Sequence, residues 1–377
     1  MSPNSSLAIF CGEETVCKFA KYRFLDTSRF ERVIVLSDVH GDADGFKAVL
    51  DKSCFSEKDA LIIVGDILEK GGSGLPLLHH VMELAKTGRV FMVLGNNDAL
   101  FIDWRDGITS DEAMLNYTRI VTNCTLFEMG RELSLPWNTL EELKTLKKAI
   151  FYHYADEIAF LDSLPHIIET DFAVFVHAGL DDRPLSEQKP ETCLSKPHFG
   201  TDKHRFDKTV IVGHWPASNY CESIINVAPY YNEVSNIISI DGGNSLKSWG
   251  QINYLVFRSG AVAESGYYDS LPKIRVLEAQ KESDNPTLLI HPKTLVEIIN
   301  RGKTETLCFI PAINSEKTIV NEKIYEYRGN CYCWDYTDYK PELAAGDIVS
   351  LCQTDEYGTL IKKHGIVGYY TGRWEFT

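Results

Sequence analysis

Short apolar runs alternate with polar turns and amphipathic segments in the first part of the chain. Residues 33–36, 61–64 and 90–94 are runs rich in β-branched side chains, and each ends in a turn containing Gly and Asp or Asn. Amphipathic stretches at 44–52 and 75–86 lie between them. Strands that alternate with helices build sheets with parallel neighbours. The pattern therefore predicts an α/β fold here.

The middle of the chain is predicted to be helical before strands return. Residues 111–161 carry recurrent apolar spacings of three and four, most clearly after Thr139, with a break at Pro136. Further apolar runs predict strands at 173–176, 209–212, 237–240 and 254–257. We expect the α/β domain to end near residue 265.

The last part of the chain has shorter strands and more turns. It follows a polar stretch at 281–286, and residues 346–372 resemble the closing strands of a bacterial SH3-like barrel. We therefore divide the chain into three parts: an N-terminal extension (1–30), an α/β domain (31–265) and a small β-rich, SH3-like domain (266–377). A peptide is the expected partner of this last domain.

Charge and composition narrow the classes of function. The formal net charge of −15 argues against broad nucleic-acid binding, which depends on Lys and Arg neutralising phosphates. No apolar run approaches the roughly 20 residues that span a bilayer, and the N-terminus has no basic segment followed by an apolar one. We expect a cytoplasmic protein without membrane contact. The scattered cysteines predict free thiols rather than disulfides.

Five of the predicted strands end in polar residues of one chemical kind. In an α/β sheet, ligands gather beyond the carboxyl ends of the strands. Carboxylate, amide and imidazole donors without thiolates suit two divalent ions such as Mn, Fe, Zn or Mg. A single such turn is usually only a capped turn or a satisfied histidine, but five in order predict a metal site. The predicted ligands are Asp38, His40, Asp66, Asn96, His177 and His214.

The same motifs resemble those of the calcineurin-like metallophosphoesterases. They read S-D-V-H-G, G-D-I-L-E-K-G, G-N-N-D, H-A-G and G-H-W, in that order between residues 33 and 257. A lone histidine in the last motif, where many members have G-H-x-H, is typical of the phosphoprotein phosphatase branch. That branch includes serine/threonine phosphatases and symmetrical diadenosine tetraphosphatases. The resemblance implies a metallophosphatase-type β-sandwich flanked by helices.

The resemblance also implies an assignment of the metal ligands. Asp38 and His40 hold one ion together with Asp66, which also bridges to the second ion. The remaining predicted ligands complete the second site. The two ions, manganese among the candidates, activate a hydroxide that hydrolyses a phosphate ester. The implied enzyme is similar to a serine/threonine protein phosphatase and acts on a phosphoprotein or a small phosphate ester.

Four positions depart from the family pattern around the substrate. Asn97 stands where the family has a proton-donating histidine, and Glu69 replaces the aspartate that orients it. Lys70 replaces a phosphate-binding arginine, and Lys196 aligns loosely with a second one. We therefore take Asn97, Glu69 and Lys70 as catalytic candidates, and Lys70, Asn97, Lys196 and Arg183 as candidates for substrate binding. An alternative for Arg183 is a loop arginine in solvent.

An amide cannot carry a proton in catalysis at neutral pH. This leaves two alternative functions open. A dinucleoside polyphosphatase or phosphodiesterase depends less on a proton donor, because its leaving groups are better. A metal-binding pseudo-phosphatase would serve as an interaction protein. Two other acidic residues are expected to have structural roles: Asp98 as a cap for the segment that follows it, and Asp241 in a turn that closes the pocket floor.

Overall fold

The computed structural model describes residues 19–355 and 357–377, which form two compact units. The first contains residues 19–216 together with Pro229–Ser270, and most of the predicted N-terminal extension (1–30) lies outside the described residues. The second contains Ala217–Ala228 and Leu271–Thr377. The domain border expected after residue 265 stays a prediction. The short excursion of the chain into the second unit, at Ala217–Ala228, was not predicted.

The helices and strands up to Tyr268 alternate much as the apolar pattern predicts. In chain order they are β1 (Tyr22–Phe24), β2 (Arg32–Leu36), α1 (Ala43–Lys52), β3 (Asp59–Ile63), α2 (Gly74–Ala85), β4 (Val90–Met92), α3 (Leu100–Arg105), α4 (Asp111–Ile120), α5 (Thr125–Glu132), α6 (Leu140–His153), α7 (Ala155–Ser163), β5 (Ile167–Glu169), β6 (Ala173–Val176), α8 (Pro190–Ser195), β7 (Thr209–Val212), β8 (Ile225–Asn226), β9 (Tyr230–Asn232), β10 (Ile237–Ser239), β11 (Ile252–Arg258) and β12 (Ala261–Tyr268).

Two sheets of the first unit bring the carboxyl ends of their strands to shared edges. Their orders are β1-β5-β6-β7-β10-β9 and β12-β11-β2-β3-β4. In the second of these sheets β2, β3 and β4 run parallel, and in the first β6, β7 and β10 do so. Residues that follow parallel neighbours emerge at the same edge. The predicted mixed α/β fold is confirmed.

Alternate residues of the strands face two different cores. On β2, Val33 and Val35 pack with Phe175 and Ile211 of the other sheet, forming an apolar layer between the sheets. The residues between them, among them Ile34, pack instead against the helices. This alternation follows from the period of two in a strand. It places helices outside a two-sheet core.

Polar signals in the sequence account for one clear boundary in the helical region. α6 begins with a capping box, in which Thr139 and Glu142 satisfy each other's backbone N–H groups. The break predicted at Pro136 lies between α5 and α6. Among the described residues, no helix is long and apolar enough to cross a membrane.

Short strands dominate the second unit. They are β13 (Lys273–Val276), β14 (Leu288–Leu289), β15 (Leu295–Arg301), β16 (Glu305–Ile310), β17 (Ser315–Val320), β18 (Ile324–Tyr327), β19 (Asn330–Cys333), β20 (Tyr336–Thr337), β21 (Ile348–Asp355), β22 (Gly358–Lys363), β23 (Ile366–Tyr370) and β24 (Trp374–Phe376). They form sheets in the orders β24-β13-β21-β22-β23-β8, β17-β16-β15-β19-β18 and β14-β20. The likeness to an SH3-like barrel stays a prediction.

Candidate metal centre

The predicted metal ligands come together at the ends of five strands. Asp38 and His40 follow β2, and the other four follow β3, β4, β6 and β7 in turn. Asp38, His40, Asp66 and His177 are almost completely buried. The structure therefore brings together residues from 38 to 214 in one cluster.

One group of donor atoms surrounds the side-chain oxygen of Asn96. His177 Nε2 lies 3.0 Å from Asn96 Oδ1, and His214 Nδ1 lies 2.8 Å from it. Asp66 Oδ1 is 3.5 Å from His177 Nε2. We call these four residues the Asn96 group. Their donor atoms converge although the side chains come from four different strand ends.

A second group forms around His40, and we call it the His40 group. Its ligand atoms, from Asp38, His40 and Asp66, all lie within 4.8 Å of one another. His40 Nε2 is 3.8 Å from Asp38 Oδ1 and 3.9 Å from Asp66 Oδ2. The two oxygens of Asp66 thus face different groups, an arrangement that allows one carboxylate to serve two ions.

The histidine rings are oriented so that their outer nitrogens can act as ligands. His40 Nδ1 donates to the carbonyl of Leu68 at 3.2 Å, and His177 Nδ1 donates to that of Val64 at 2.9 Å. A neutral ring that donates from Nδ1 keeps a lone pair on Nε2. His40 Nε2 is buried and has no hydrogen-bond partner among the residues that the structure describes. An atom of this kind fits a metal ligand.

The donor set and its spacing fit divalent cations. Bonds of about 2.0–2.2 Å to nitrogen and oxygen place neighbouring ligand atoms roughly 3 Å apart. The separations in the Asn96 group match this value, and those in the His40 group are somewhat larger. Both groups offer nitrogen and oxygen donors only, in keeping with Mn, Fe, Zn or Mg.

The backbone at these ligands has an unusual conformation. Asp38, His40, Asp66 and His214 have φ values of 51°, 50°, 56° and 64°, in the left-handed region. This costs roughly 1–2 kcal/mol for each L-residue and persists only where the surroundings impose it. Gly95 faces the same turn, and a Cβ there would collide with the backbone nitrogen of Asp66. Four of the six predicted ligands therefore hold a backbone conformation that their surroundings must impose.

Burial and charge shift the pKa values of these groups in different directions. Burial raises the pKa of Asp38 well above its usual value, and Asp241 is the next cause. Burial would also raise the pKa of Asp66, but His177 and other neighbouring cations outweigh it and hold that pKa far below its usual value. Asp66 is therefore anionic, while Asp38 sits where burial and nearby carboxylates disfavour its charge and a bound cation would relieve that cost. Such a cluster attracts cations.

The pKa values of the three histidines are also shifted in different directions. Burial lowers the pKa of His40 and of His214 to about 3, which keeps both rings neutral and able to bind metal. Burial acts in the same direction on His177, but Asp66 outweighs it and raises the pKa of His177 to about 10. Without a bound cation, His177 is the counter-ion of Asp66.

Asp98 has a different role from the one predicted. It does not cap α3, whose first turn receives no side-chain hydrogen bond. Its carboxylate accepts instead from the N–H groups of Asp66 at 2.7 Å, Ile67 at 3.0 Å and Leu68 at 3.1 Å, and from that of Gly95 at 3.1 Å. Asp98 thus joins the turn after β4 to the turn after β3. No sequence signal distinguishes this use of an aspartate from capping.

Asn97 and Glu69 contact different partners. Asn97 donates its backbone N–H to Asp66 Oδ1 at 2.9 Å, and its side-chain amide donates to Asp66 Oδ2. Glu69 accepts from the Tyr117 hydroxyl at 2.7 Å and from the N–H of Thr125 at 3.1 Å. No hydrogen bond joins Asn97 to Glu69 in the described part of the chain. An orienting role of Glu69 toward Asn97 has no contact to support it.

The three predicted phosphate-binding cations lie in different environments. Lys70 is close enough to affect the pKa values of ligands in both groups. Lys196 Nζ lies 3.0 Å from Asp202 Oδ2 and donates to the carbonyl of Leu180 at 2.5 Å. Arg183 is exposed and lies 3.6 Å from Asp181. Because both have other partners, a substrate role for Lys196 and Arg183 stays a prediction.

The turn at Asp241 supports the loop that carries Asp38 and His40. Asn244 donates to the carbonyl of Val39 at 2.8 Å, and Ser245 donates to that of His40 at 3.4 Å. Asp241 itself is fully buried and accepts from the N–H of Gly243 at 2.7 Å. The turn therefore holds the backbone of the loop that carries Asp38 and His40 in place.

Curated proteins with similar sequences match over short segments. A symmetrical bis(5'-nucleosyl)-tetraphosphatase of Buchnera aphidicola from Schizaphis graminum is 33% identical over 81 residues, which is 21% of this chain and 29% of that protein. One from Hamiltonella defensa is 43% identical over 65 residues, 17% of this chain and 23% of that protein. The matched segments span less than a third of these relatives.

Comparison of structures and family models covers more of the chain. A serine/threonine phosphatase from Saccharomyces cerevisiae aligns with 67% of this chain and 85% of its own, at 13% identity and a TM-score of 0.40. The model of the calcineurin-like phosphoesterases matches residues 31–292, which include all six predicted metal ligands. The chain therefore belongs to the calcineurin-like phosphoesterase family.

Proposed function

We propose that this protein is a metal-dependent phosphohydrolase in which two divalent ions share Asp66. The observation that carries the proposal is the placement of the two Asp66 oxygens, one facing the His40 group and the other facing the Asn96 group. Asp38 and His40 would hold the first ion with Asp66. Asn96, His177 and His214 would hold the second ion with it. Manganese is the ion that we propose to test first.

The chain's own residues determine how a phosphoryl group is held. Divalent ions at such a site activate water and neutralise charge on the phosphoryl oxygens. Lys70 adds positive charge beside them. Asn97 donates to both oxygens of Asp66 through its backbone and side chain, which fixes the orientation of the shared carboxylate. Asn97 is therefore proposed as a positioning residue rather than as a proton donor.

The lack of a proton donor at Asn97 favours substrates with good leaving groups. Loss of a general acid costs on the order of a hundredfold or more in rate when the leaving group is poor. A phosphate anhydride or an activated diester suffers less. The relatives named bis(5'-nucleosyl)-tetraphosphatases agree with this preference. We therefore propose dinucleoside polyphosphates as the second candidate substrate class, beside the phosphoproteins implied by the phosphoprotein phosphatase motifs.

Hydrolysis assays of the manganese-loaded protein test both parts of the proposal. The substrates are p-nitrophenyl phosphate, its diester, diadenosine tetraphosphate and a phosphoserine peptide. We expect turnover that requires manganese and is lost in Asp66→Asn and His214→Ala. His153→Ala is the matched control, because His153 is exposed on α6.

The pattern of substrates then separates the candidate functions. Faster hydrolysis of diadenosine tetraphosphate than of the phosphopeptide supports the anhydride proposal, and the reverse order supports a protein phosphatase. If the metal-loaded protein hydrolyses none of these substrates, the enzyme proposal is contradicted and a role as an interaction protein is favoured. The cytoplasmic location and the peptide partner of the second unit stay predictions.

A further inference from the structure

The loop that carries Lys70 is held at both ends by one helix. Glu69, directly before Lys70, accepts from the N–H of Thr125 at the start of α5. From the next turn of the same helix, Glu128 accepts from the first two N–H groups of α2, at 2.8 and 2.9 Å. Each carboxylate thereby also satisfies N–H groups that a helix start leaves without intrahelical partners. The segment between Glu69 and α2 is fixed to α5 at two points.

A third hydrogen bond fastens Glu69 to α4. The Tyr117 hydroxyl donates to Glu69 Oε2 at 2.7 Å, so both carboxylate oxygens are used. Glu69 is 1% exposed. Glu69 and Lys70 have φ values of 66° and 67°, a conformation that L-residues keep only when their surroundings impose it. The side-chain contacts of Glu69 hold this conformation at Lys70, together with the backbone hydrogen bonds from Gly71 to Glu69 and from Ser73 to Gly41.

Lys70 itself is available to a ligand. Its ammonium group has no hydrogen-bond or ion-pair partner among residues 19–355 and 357–377. Its charge reaches both ligand groups: after burial it is the next cause that lowers the pKa of His40, and it also acts on His214. A cation beside a metal cluster, without a carboxylate of its own, suits a phosphoryl oxygen.

We propose that Glu69 is a positioning residue that holds Lys70 in place for the phosphoryl group, with α4 and α5 as its supports. Glu69 then acts through the backbone, and not by orienting a proton donor at Asn97. This inference rests on the proposed function, because it takes the phosphoryl group to bind beside the metal ligands. It assigns the helices between β4 and β5 a role in substrate binding.

Isothermal titration calorimetry of inorganic phosphate binding to the manganese-loaded full chain tests the proposal. We expect Lys70→Ala to raise the Kd for phosphate about tenfold, and Glu69→Ala to raise it by a similar factor. If Glu69 acts through Lys70, the double variant binds phosphate no more weakly than Lys70→Ala alone. Manganese is kept saturating in all three, and we expect none of them to bind it more weakly, because loss of the Lys70 charge favours a cation at the ligand groups.

Glu69→Gln is the rescue variant. Its carbonyl accepts from Thr125 and its amide donates to the Tyr117 oxygen, so phosphate binding stays close to that of the unaltered protein. Tyr117→Phe removes only one of the anchors and serves if Glu69→Ala does not fold. We expect it to weaken phosphate binding severalfold.

Three results overturn the proposal. In the first, Glu69→Ala and Tyr117→Phe bind phosphate as tightly as the unaltered chain does. In the second, the increase in Kd of the double variant is the product of the increases of the two single variants. In the third, the unaltered chain does not bind phosphate. If phosphate binds with the expected pattern but no ester is hydrolysed, the proposed enzyme activity fails while the role of Glu69 is supported.

Discussion

At the scale of single residues, buried carboxylates organise the ligand turns through backbone N–H groups. Asp98 joins two strand ends that carry Asp66 and Asn96, and it does so without being a predicted ligand itself. Burial raises the pKa of Asp98 to about 7, and the nearby charge of Asp66 acts in the same direction. The shape of the metal centre therefore depends on Asp98, whose described hydrogen bonds go to backbone N–H groups and not to a predicted metal-binding atom.

Asp98→Asn is predicted to destabilise the protein by roughly 2–3 kcal/mol. The NH₂ group that replaces one carboxylate oxygen is itself a donor, so it leaves some of the backbone N–H groups without an acceptor. Chemical denaturation at pH 8, where Asp98 is ionised, measures the free energy of unfolding. Asp103→Asn is the control, since Asp103 on α3 is partly buried, whereas Asp98 is fully buried, and the Asp103 carboxylate has no hydrogen bond in the described part. Equal stability of Asp98→Asn and the unaltered chain contradicts this account.

At the scale of helices and strands, Glu69 connects the ligand sheet to α4 and α5. Burial raises the pKa of Glu69 to about 7 from a usual value near 4.5, although the Tyr117 hydroxyl and the Thr125 N–H oppose the shift. Between these two pH values the folded state binds more protons than the unfolded state. Stability from this group is therefore lost as the pH rises from about 4.5 to about 7.

Glu69→Gln is predicted to remove this pH dependence. Relative to the unaltered chain, the variant gains stability as the pH rises from 4.5 to 7, by roughly 1–3 kcal/mol. Denaturation curves of both metal-free proteins across this range provide the comparison. A difference that stays constant with pH shows that Glu69 does not titrate in this range.

The sequence predicts the features that depend on local patterns, and misses those that depend on contacts between residues far apart in the chain. Buried strands such as β2 and β3 are continuous apolar runs, so the sequence predicts both the strands and the polar ligands at their ends. The three-residue strand β1 and the six-residue helix α3 are too short for a periodic signal. The contacts of Asp98 and Glu69 join residues about 30 and 56 apart, and only the folded chain brings these groups together.

At the scale of the whole molecule, the chain leaves the first unit two residues after His214 and returns at Pro229. Within this excursion β8 pairs with β23 in the second unit, Ile366 opposite Asn226 and Val367 opposite Ile225. Ile225 and Val227 are fully buried. A two-residue strand of this kind has no recognisable pattern, which is why the sequence predicted a simple succession of domains.

A chain ending at Ser270 is predicted to lose solubility and thermal stability, because Ala217–Ala228 keeps its apolar side chains but loses its strand partner. Replacing Ala217–Ala228 by a Gly/Ser linker in the same shortened chain is the control and should restore solubility. Thermal unfolding and size-exclusion chromatography compare the two. A shortened chain with its native segment that remains monomeric and as stable as the full chain would contradict the role of β8.

The electron paramagnetic resonance spectrum of the protein loaded with manganese tests the central claim most directly. Two Mn²⁺ ions that share the Asp66 carboxylate are expected to give an exchange-coupled spectrum, at two ions per chain. Asp66→Asn is expected to abolish the coupling. A spectrum of isolated, uncoupled ions, or saturation at one ion per chain, contradicts a centre in which Asp66 bridges two metals.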